Sequence, residues 1–189
     1  MERRSLIKNK FARSLWNLVY LVLFRPSPIL FHAWRRWLLR LFGAKVGMGV
    51  HVYPSAQVWA PWNLEMGENS SLAPFVNCYC VDKIIIGRNT TISQYTYLCS
   101  ASHDYEDPSI LDHPYLPLVT APIVLGDYVW VTAKVFVALG VTIGEGAIVL
   151  ACSTVVKDVP PWTVVAGSPA VFRKKRELRD QLNNSTEQR

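Results

Sequence analysis

Between Leu125 and Val159 every sixth residue is a branched aliphatic: Leu125, Val131, Val137, Ile143, Val149 and Val155. Four places later in each unit stand Val129, Val135, Val141, Ala147, Ser153 and Val159, all small or β-branched. A period of six matches neither the 3.6 of a helix nor the 2 of a simple strand. A β-sandwich with frequent turns has no reason to keep this register through six successive units. The pattern fits a triangular coil of about 18 residues, in which three short strands each point one aliphatic at the axis and a small residue sits beside each tight corner. Parallel strands of successive coils then pair along the axis and bury a column that no single coil could bury alone.

The first half repeats on a longer beat. Val46-Gly47, Met66-Gly67 and Ile86-Gly87 start segments spaced by 20, and within each the period of six returns, as in Ile86, Ile92 and Leu98. The expected fold is therefore all-β: a left-handed parallel β-helix of hexapeptide repeats over residues 46–172, with Gly47, Gly67, Gly87, Gly126 and Gly144 supplying permissive backbone at corners. Residues 104–124, rich in Asp and Pro, break the register and read as a protruding loop; a loop this long is uncommon unless it is functional or disordered. Residues 162–172 read as a closing strand, and the basic tail 173–189 as a short helix over 173–182 with frayed last residues.

Residues 1–45 are different. Around Pro26-Ser27-Pro28 the segments 8–24 and 29–42 interleave apolar and aromatic residues with Arg and Lys, which predicts two short amphipathic helices. They could cap the open end of the solenoid, or lie on an anionic membrane surface through residues 1–42. The longest apolar run, Leu15 to Phe24, is interrupted by Asn17 and too short to span a bilayer, and no secretory signal is evident. The expected location is cytoplasmic, with peripheral attachment to the inner face of the membrane.

The net charge of +6 belongs to the ends. Residues 1–45 hold ten basic residues against Glu2 alone, whereas residues 46–170 hold four (Lys83, Arg88, Lys134, Lys157) against ten acids. A basic isoelectric point therefore gives no reason to expect nucleic acid as a partner. Cys78, Cys80, Cys99 and Cys152 lack the spacing of a metal knuckle and read as small apolar filler in a reducing cytosol; no metal is expected.

Of the four histidines, His103 stands where the repeats open into the loop, and a neutral imidazole there could accept a proton near pH 7. The repeats and His103, with Gly126-Asp-Tyr-Val-Trp130-Val, Gly140-Val-Thr-Ile-Gly-Glu-Gly146, Val155-Val-Lys-Asp-Val-Pro-Pro161 and Val165-Ala-Gly-Ser-Pro-Ala170, resemble the hexapeptide-repeat O-acetyltransferases. This is the group of galactoside, maltose and nodulation-factor acetyltransferases. Ser102-His103-Asp104-Tyr105, Val129-Trp130-Val131-Thr132-Ala133 and the opening Arg25-Pro-Ser-Pro are most similar to its colanic-acid-type exopolysaccharide branch.

The resemblance implies acetyl-CoA as donor and a sugar hydroxyl as acceptor, in exopolysaccharide or cell-surface glycan synthesis. It implies a homotrimer with clefts between neighbouring solenoids, an assembly that outward apolar residues such as Trp59, Trp62, Phe136 and Leu139 would suit. His103 matches the family's general base for direct transfer without an acyl-enzyme. Asn77 matches an acceptor-side position. Trp130, Ala133, Ala151, Lys157, Arg173 and Lys174 fall where the family contacts the coenzyme, with Ala133 marking a turn whose backbone N–H groups suit an oxyanion. Three places depart from the family pattern: Thr132 for Gly, Leu150-Ala-Cys152 for a Gly-rich turn, and Val156 for Thr, which removes a hydroxyl available for a coenzyme contact. Two other readings share the fold. A zinc carbonic anhydrase needs three converging histidines, and none follows His103 at five residues. A non-catalytic scaffold leaves the His103 segment without a use.

Overall fold

The computed structural model describes residues 2–111 and 116–178. It is a parallel β-solenoid with three faces. The first face stacks Lys45–Val46, Leu64–Met66, Ile84–Ile86, Ile123–Leu125 and Thr142–Ile143. The second stacks His51–Val52, Ser71–Leu72, Thr91–Ile92, Trp130–Val131, Ile148–Val149 and Thr163–Ala166. The third stacks Gln57–Val58, Asn77–Tyr79, Tyr97–Cys99, Phe136–Val137 and Thr154–Val155. Neighbours within each face are parallel, and the coil rise sets their register, as in Trp130↔Ile148 and Val131↔Val149. This is consistent with the left-handed β-helix that the six-residue period implies.

The periodic residues form the axial column. Leu125, Val131, Val137, Ile143, Val149 and Val155 are all buried, as are the corner residues Val129, Val135, Val141, Ala147, Ser153 and Val159. The early coils contribute Met66, Leu72 and Cys78, then Ile86, Ile92 and Leu98. Stacked glycines mark one corner, but their role is close approach more than torsional freedom. A Cβ on Gly67 would lie 2.5 Å from the backbone N of Arg88, and one on Gly87 would lie 2.4 Å from the carbonyl carbon of Gly126. The left-handed torsions fall on other residues, including Asn69, Asn89 and Tyr128 at this corner and Phe75, Tyr95, Lys134 and Cys152 between the second and third faces.

A helix α1 (Glu2–Val19), continued by a wider turn over Tyr20–Phe24, and a helix α2 (His32–Leu41) flank the proline break. Both helical stretches lie against the first coil, whose outer strand edge would otherwise leave carbonyls unpaired. Three arginines of α2 supply the donors. Arg35, fully buried, donates from Nε to the Val52 carbonyl (2.6 Å) and from Nη1 to the Pro28 carbonyl (2.8 Å). Arg36 donates to the Val50 carbonyl (2.8 Å), and Arg40 donates from Nε to that of Val46 (2.9 Å). On the third face the indole N–H of Trp16 donates to the Val58 carbonyl (2.7 Å).

The stretch 104–124 projects from the solenoid as expected, as an arm with Ala101–His103 paired antiparallel with Leu118–Thr120 at its root, and the solenoid resumes at Ile123. One expectation needs correcting. The C-terminal helix expected over 173–182 does not begin at 173. Val171–Lys175 is a strand, antiparallel to Thr163–Ala166, that covers the last edge of the second face. Consecutive basic side chains, Arg173 to Lys175, along an exposed edge suit that position, and pairing with the last strand outweighs the helix propensity of Arg and Lys. Residues 179–182 lie outside the described residues.

Candidate active site

The chain leaves the third face after Tyr97–Cys99, turns at Ser100 and projects the arm. Ser100 anchors the root, donating its hydroxyl to the Tyr79 carbonyl (2.9 Å) while accepting from the Asp82 backbone N–H (2.9 Å). His103 ends the outgoing strand, opposite Leu118, and is exposed. Its Nδ1 lies 3.0 Å from the Leu116 carbonyl oxygen. A carbonyl can only accept, so Nδ1 carries the proton, and the neutral ring presents its lone pair at Nε2. One returning strand thus selects both the ring's orientation and its tautomer. His113 lies outside the described residues.

Ala133 and Ala151 meet at the corner between the second and third faces. The two turns stack directly, the Cys152 N–H donating to the Ala133 carbonyl (3.0 Å). Lys134 and Cys152 beside them have left-handed torsions (φ 58 and 60). Trp130 enters this corner from the second face, half exposed, its indole N–H held by the Ser93 hydroxyl (3.0 Å). One coil further on, the Gly167 carbonyl accepts from the Thr154 N–H, and Arg173 reaches back to the Ala166 carbonyl (3.3 Å). The structure therefore strings Trp130, Ala133, Ala151 and Arg173 along one side of the solenoid. Lys174 is paired opposite Val164 on the covering strand. Lys157 lies across the third face from that string, at the corner from which the arm leaves two coils earlier; the neighbouring Asp158 carboxylate accepts from the Thr142 N–H (2.7 Å).

Asn77 lies on the third face beside Tyr97 and lines a cleft of 360 Å3 between that face and α1. His103 does not line the cleft. Trp59, Tyr79 and Tyr97 of the third face and Trp16 and Tyr20 of the helical stretch give it an aromatic lining, joined by the amides of Asn17, Gln57 and Asn77. The third-face rings stand edge to face, 4.9 Å between Trp59 and Tyr79 and 6.2 Å between Tyr79 and Tyr97. Burial, then the Cys99 thiol, pushes the Tyr97 phenol above its usual range, so it stays a neutral donor. An uncharged wall of ring faces with amides that both donate and accept suits an uncharged polyol. The motif search missed this cleft, yet the beat of 20 contained it: Gln57, Asn77 and Tyr97 share one register position, and Trp59 and Tyr79 another.

Among the described residues no three His, Cys, Asp or Glu side chains converge as a metal site. Cys78 and Cys80 are buried, and burial raises both thiols, Cys80 to about 11.

No protein-family model matches the chain. It is 40% identical over 168 residues, 89% of each chain, to Escherichia coli K12 WcaF, provisionally named a colanic acid biosynthesis acetyltransferase. It is 32% identical to the E. coli galactoside O-acetyltransferase, covering 78% of this chain and 70% of that one. The hexapeptide-repeat acetyltransferase VCA0836 of Vibrio cholerae superposes with a TM-score of 0.81 at 27% identity, covering 90% of this chain and 94% of that one. In complex with acetyl coenzyme A the same Vibrio protein gives 0.78 at 28% identity, covering 89% of each chain. The fold and these relatives together define an acyl-transferring enzyme. The chain belongs to the hexapeptide-repeat acetyltransferase family.

Proposed function

We propose that the enzyme transfers an acetyl group from acetyl-CoA to a sugar hydroxyl in exopolysaccharide or cell-surface glycan synthesis. One observation carries this reading: the Leu116 carbonyl holds the Nδ1 proton of His103, which leaves Nε2 as the acceptor. Nε2 takes the proton of the sugar hydroxyl while its oxygen adds to the thioester carbonyl. Backbone N–H groups of the turn at Ala133, supplied by a neighbouring solenoid because within one chain that turn lies across the third face from the arm, stabilise the oxyanion that develops. The imidazolium then returns the proton to the departing thiolate, so the ring ends neutral and no acyl-enzyme forms.

Trp130, Ala133 and Ala151 hold the donor along the corner, with Arg173 and Lys174 of the same chain reaching its phosphates and Lys157, which lies across the third face, reaching them from a neighbouring solenoid. The acetyl-CoA complex of the Vibrio relative supports that donor. Asn77 and the aromatic wall around it hold an uncharged part of the acceptor. The sites are completed in a homotrimer, because Leu111, Leu118 and Val119 are apolar and exposed on the arm of a single chain. The enzyme works in the cytoplasm, peripheral to the membrane through residues 1–42.

Thiol release from acetyl-CoA against a panel of neutral glycosides, with products identified by mass spectrometry, tests this reading. Sugar-dependent release that vanishes in His103→Ala is expected. Undiminished release in that variant overturns it.

A further inference from the structure

We propose that the outer surface of the helical cap is a membrane-docking face that inserts apolar side chains into an anionic bilayer surface. The proposal rests on the peripheral location given above and is independent of the acetyl-transfer chemistry.

The two sides of α2 differ in composition. Arg35, Leu38 and Leu39 face the solenoid and are buried, whereas Trp34, Trp37 and Leu41 face outward. Trp37 is 52% exposed and Leu41 63%. The segment before α2 adds Leu21, Val22 and Leu30 to the exposed set, Leu30 being 86% exposed. Trp34 stacks on Trp37 (5.2 Å, 19° between planes) and its indole N–H donates to the Leu23 carbonyl. An apolar hollow of 530 Å3 opens between Val22, Phe31 and Trp34. An apolar apron bordered by tryptophans has the chemistry of an interfacial helix. No helix among the described residues is long and apolar enough to cross a membrane, so the face would lie on the bilayer and not span it.

Charge selects the occupant. Residues 1–45 carry ten basic residues against one acid, and exposed Arg25 stands in sequence between Leu23 and Pro26 of the hollow, so a second copy would bring like charge against this one. An anionic lipid surface is complementary instead. The structure also limits how much of the binding is electrostatic. Arg35, Arg36 and Arg40 are held against carbonyls of the first coil, and Lys45 against Glu65. Much of the positive charge therefore closes the solenoid, and apolar insertion carries a larger share of docking than the composition suggests. Asn17 and Tyr20 line the Asn77 cleft while Leu18 and Leu21 face outward on the same helical stretch. Docking would bring that cleft to within roughly one helix diameter, ~10 Å, of the lipid.

Flotation of the full-length protein with phosphatidylcholine vesicles and with vesicles enriched in phosphatidylglycerol tests the proposal. Binding is expected on the anionic vesicles, with a substantial part surviving high salt. Leu30→Glu and Trp37→Glu, both at exposed positions, should each weaken it about tenfold or more. Sedimentation and thiol release of the variants should match wild type. Failure to float on anionic vesicles, or equal flotation of the variants, overturns the proposal. A changed oligomeric state in either variant overturns it in favour of contact between copies. Loss of thiol release in wild type with docking intact overturns the acetyl-transfer reading alone.

Discussion

The axial column and the His103 arm are adjacent in sequence and opposite in construction. Column residues such as Leu98 and Leu125 are buried between coils above and below, each held by parallel neighbours in the same register. The arm buries little: Tyr105, Leu111, Leu118 and Val119 are exposed, and three backbone pairs join its two strands. Stability therefore resides in the coils, and the chemistry proposed for His103 in an appendage whose loss the coils can survive, a division common where a rigid scaffold presents functional loops.

Substitutions on the two sides should separate activity from stability. The largest effect belongs to His103→Ala. Turnover should fall by roughly two to four orders of magnitude, with the unfolding midpoint and sedimentation unchanged. A fall in midpoint comparable to that of a core variant would erase the distinction. Leu125→Ala should do the reverse, removing about 2–5 kcal/mol of stability in denaturant titration while the folded fraction keeps its turnover. Arg35→Ala probes whether the cap belongs with the column. Losing the charged hydrogen bonds of that buried guanidinium to the Val52, Pro28 and Ile29 carbonyls should cost about 2–3 kcal/mol, again at constant turnover per folded molecule.

Smaller effects sharpen the picture. Because burial raises Cys80 from 9.0 to about 11, the folded state keeps a proton that the unfolded state loses. Its contribution is complete below pH 9.0 and disappears as pH rises through about 11, so denaturation midpoints should fall across that window. The slope should be shallower in Cys80→Ala. At neutral pH a thiol reagent should label exposed Cys152 and spare Cys78 and Cys80 in the folded protein. The smallest change is Ser93→Ala, which frees the Trp130 indole N–H. KM for acetyl-CoA should rise about three- to fivefold, equivalent to one net hydrogen bond of about 1 kcal/mol, with kcat nearly constant.

The coils were legible in the sequence because a stacked fold repeats one local environment, so the same residue type returns at the same spacing. His103 was legible for the complementary reason, standing where that repetition stops. The cleft around Asn77 was only partly legible. Its aromatic wall follows the beat of 20, but Asn17 and Tyr20 reach it from a helix about 40 residues or more away along the chain from the strands they face. Residues 173–175 read as helix in the sequence because local propensity does not include the unpaired edge that Val171–Lys175 covers.

The sequence by itself determined which residues point to the axis, where the arm leaves and which histidine it carries, since each depends on periodicity along the chain. Only the tertiary structure decided which nitrogen of His103 is left to accept a proton, that three arginines serve as donors to a strand edge, and that Lys157 sits across the third face from Ala133 and Ala151. Those features depend on a partner brought close by the coiling of the chain, and a hydrogen bond depends on where its partner lies in space, not on how far away it stands in sequence.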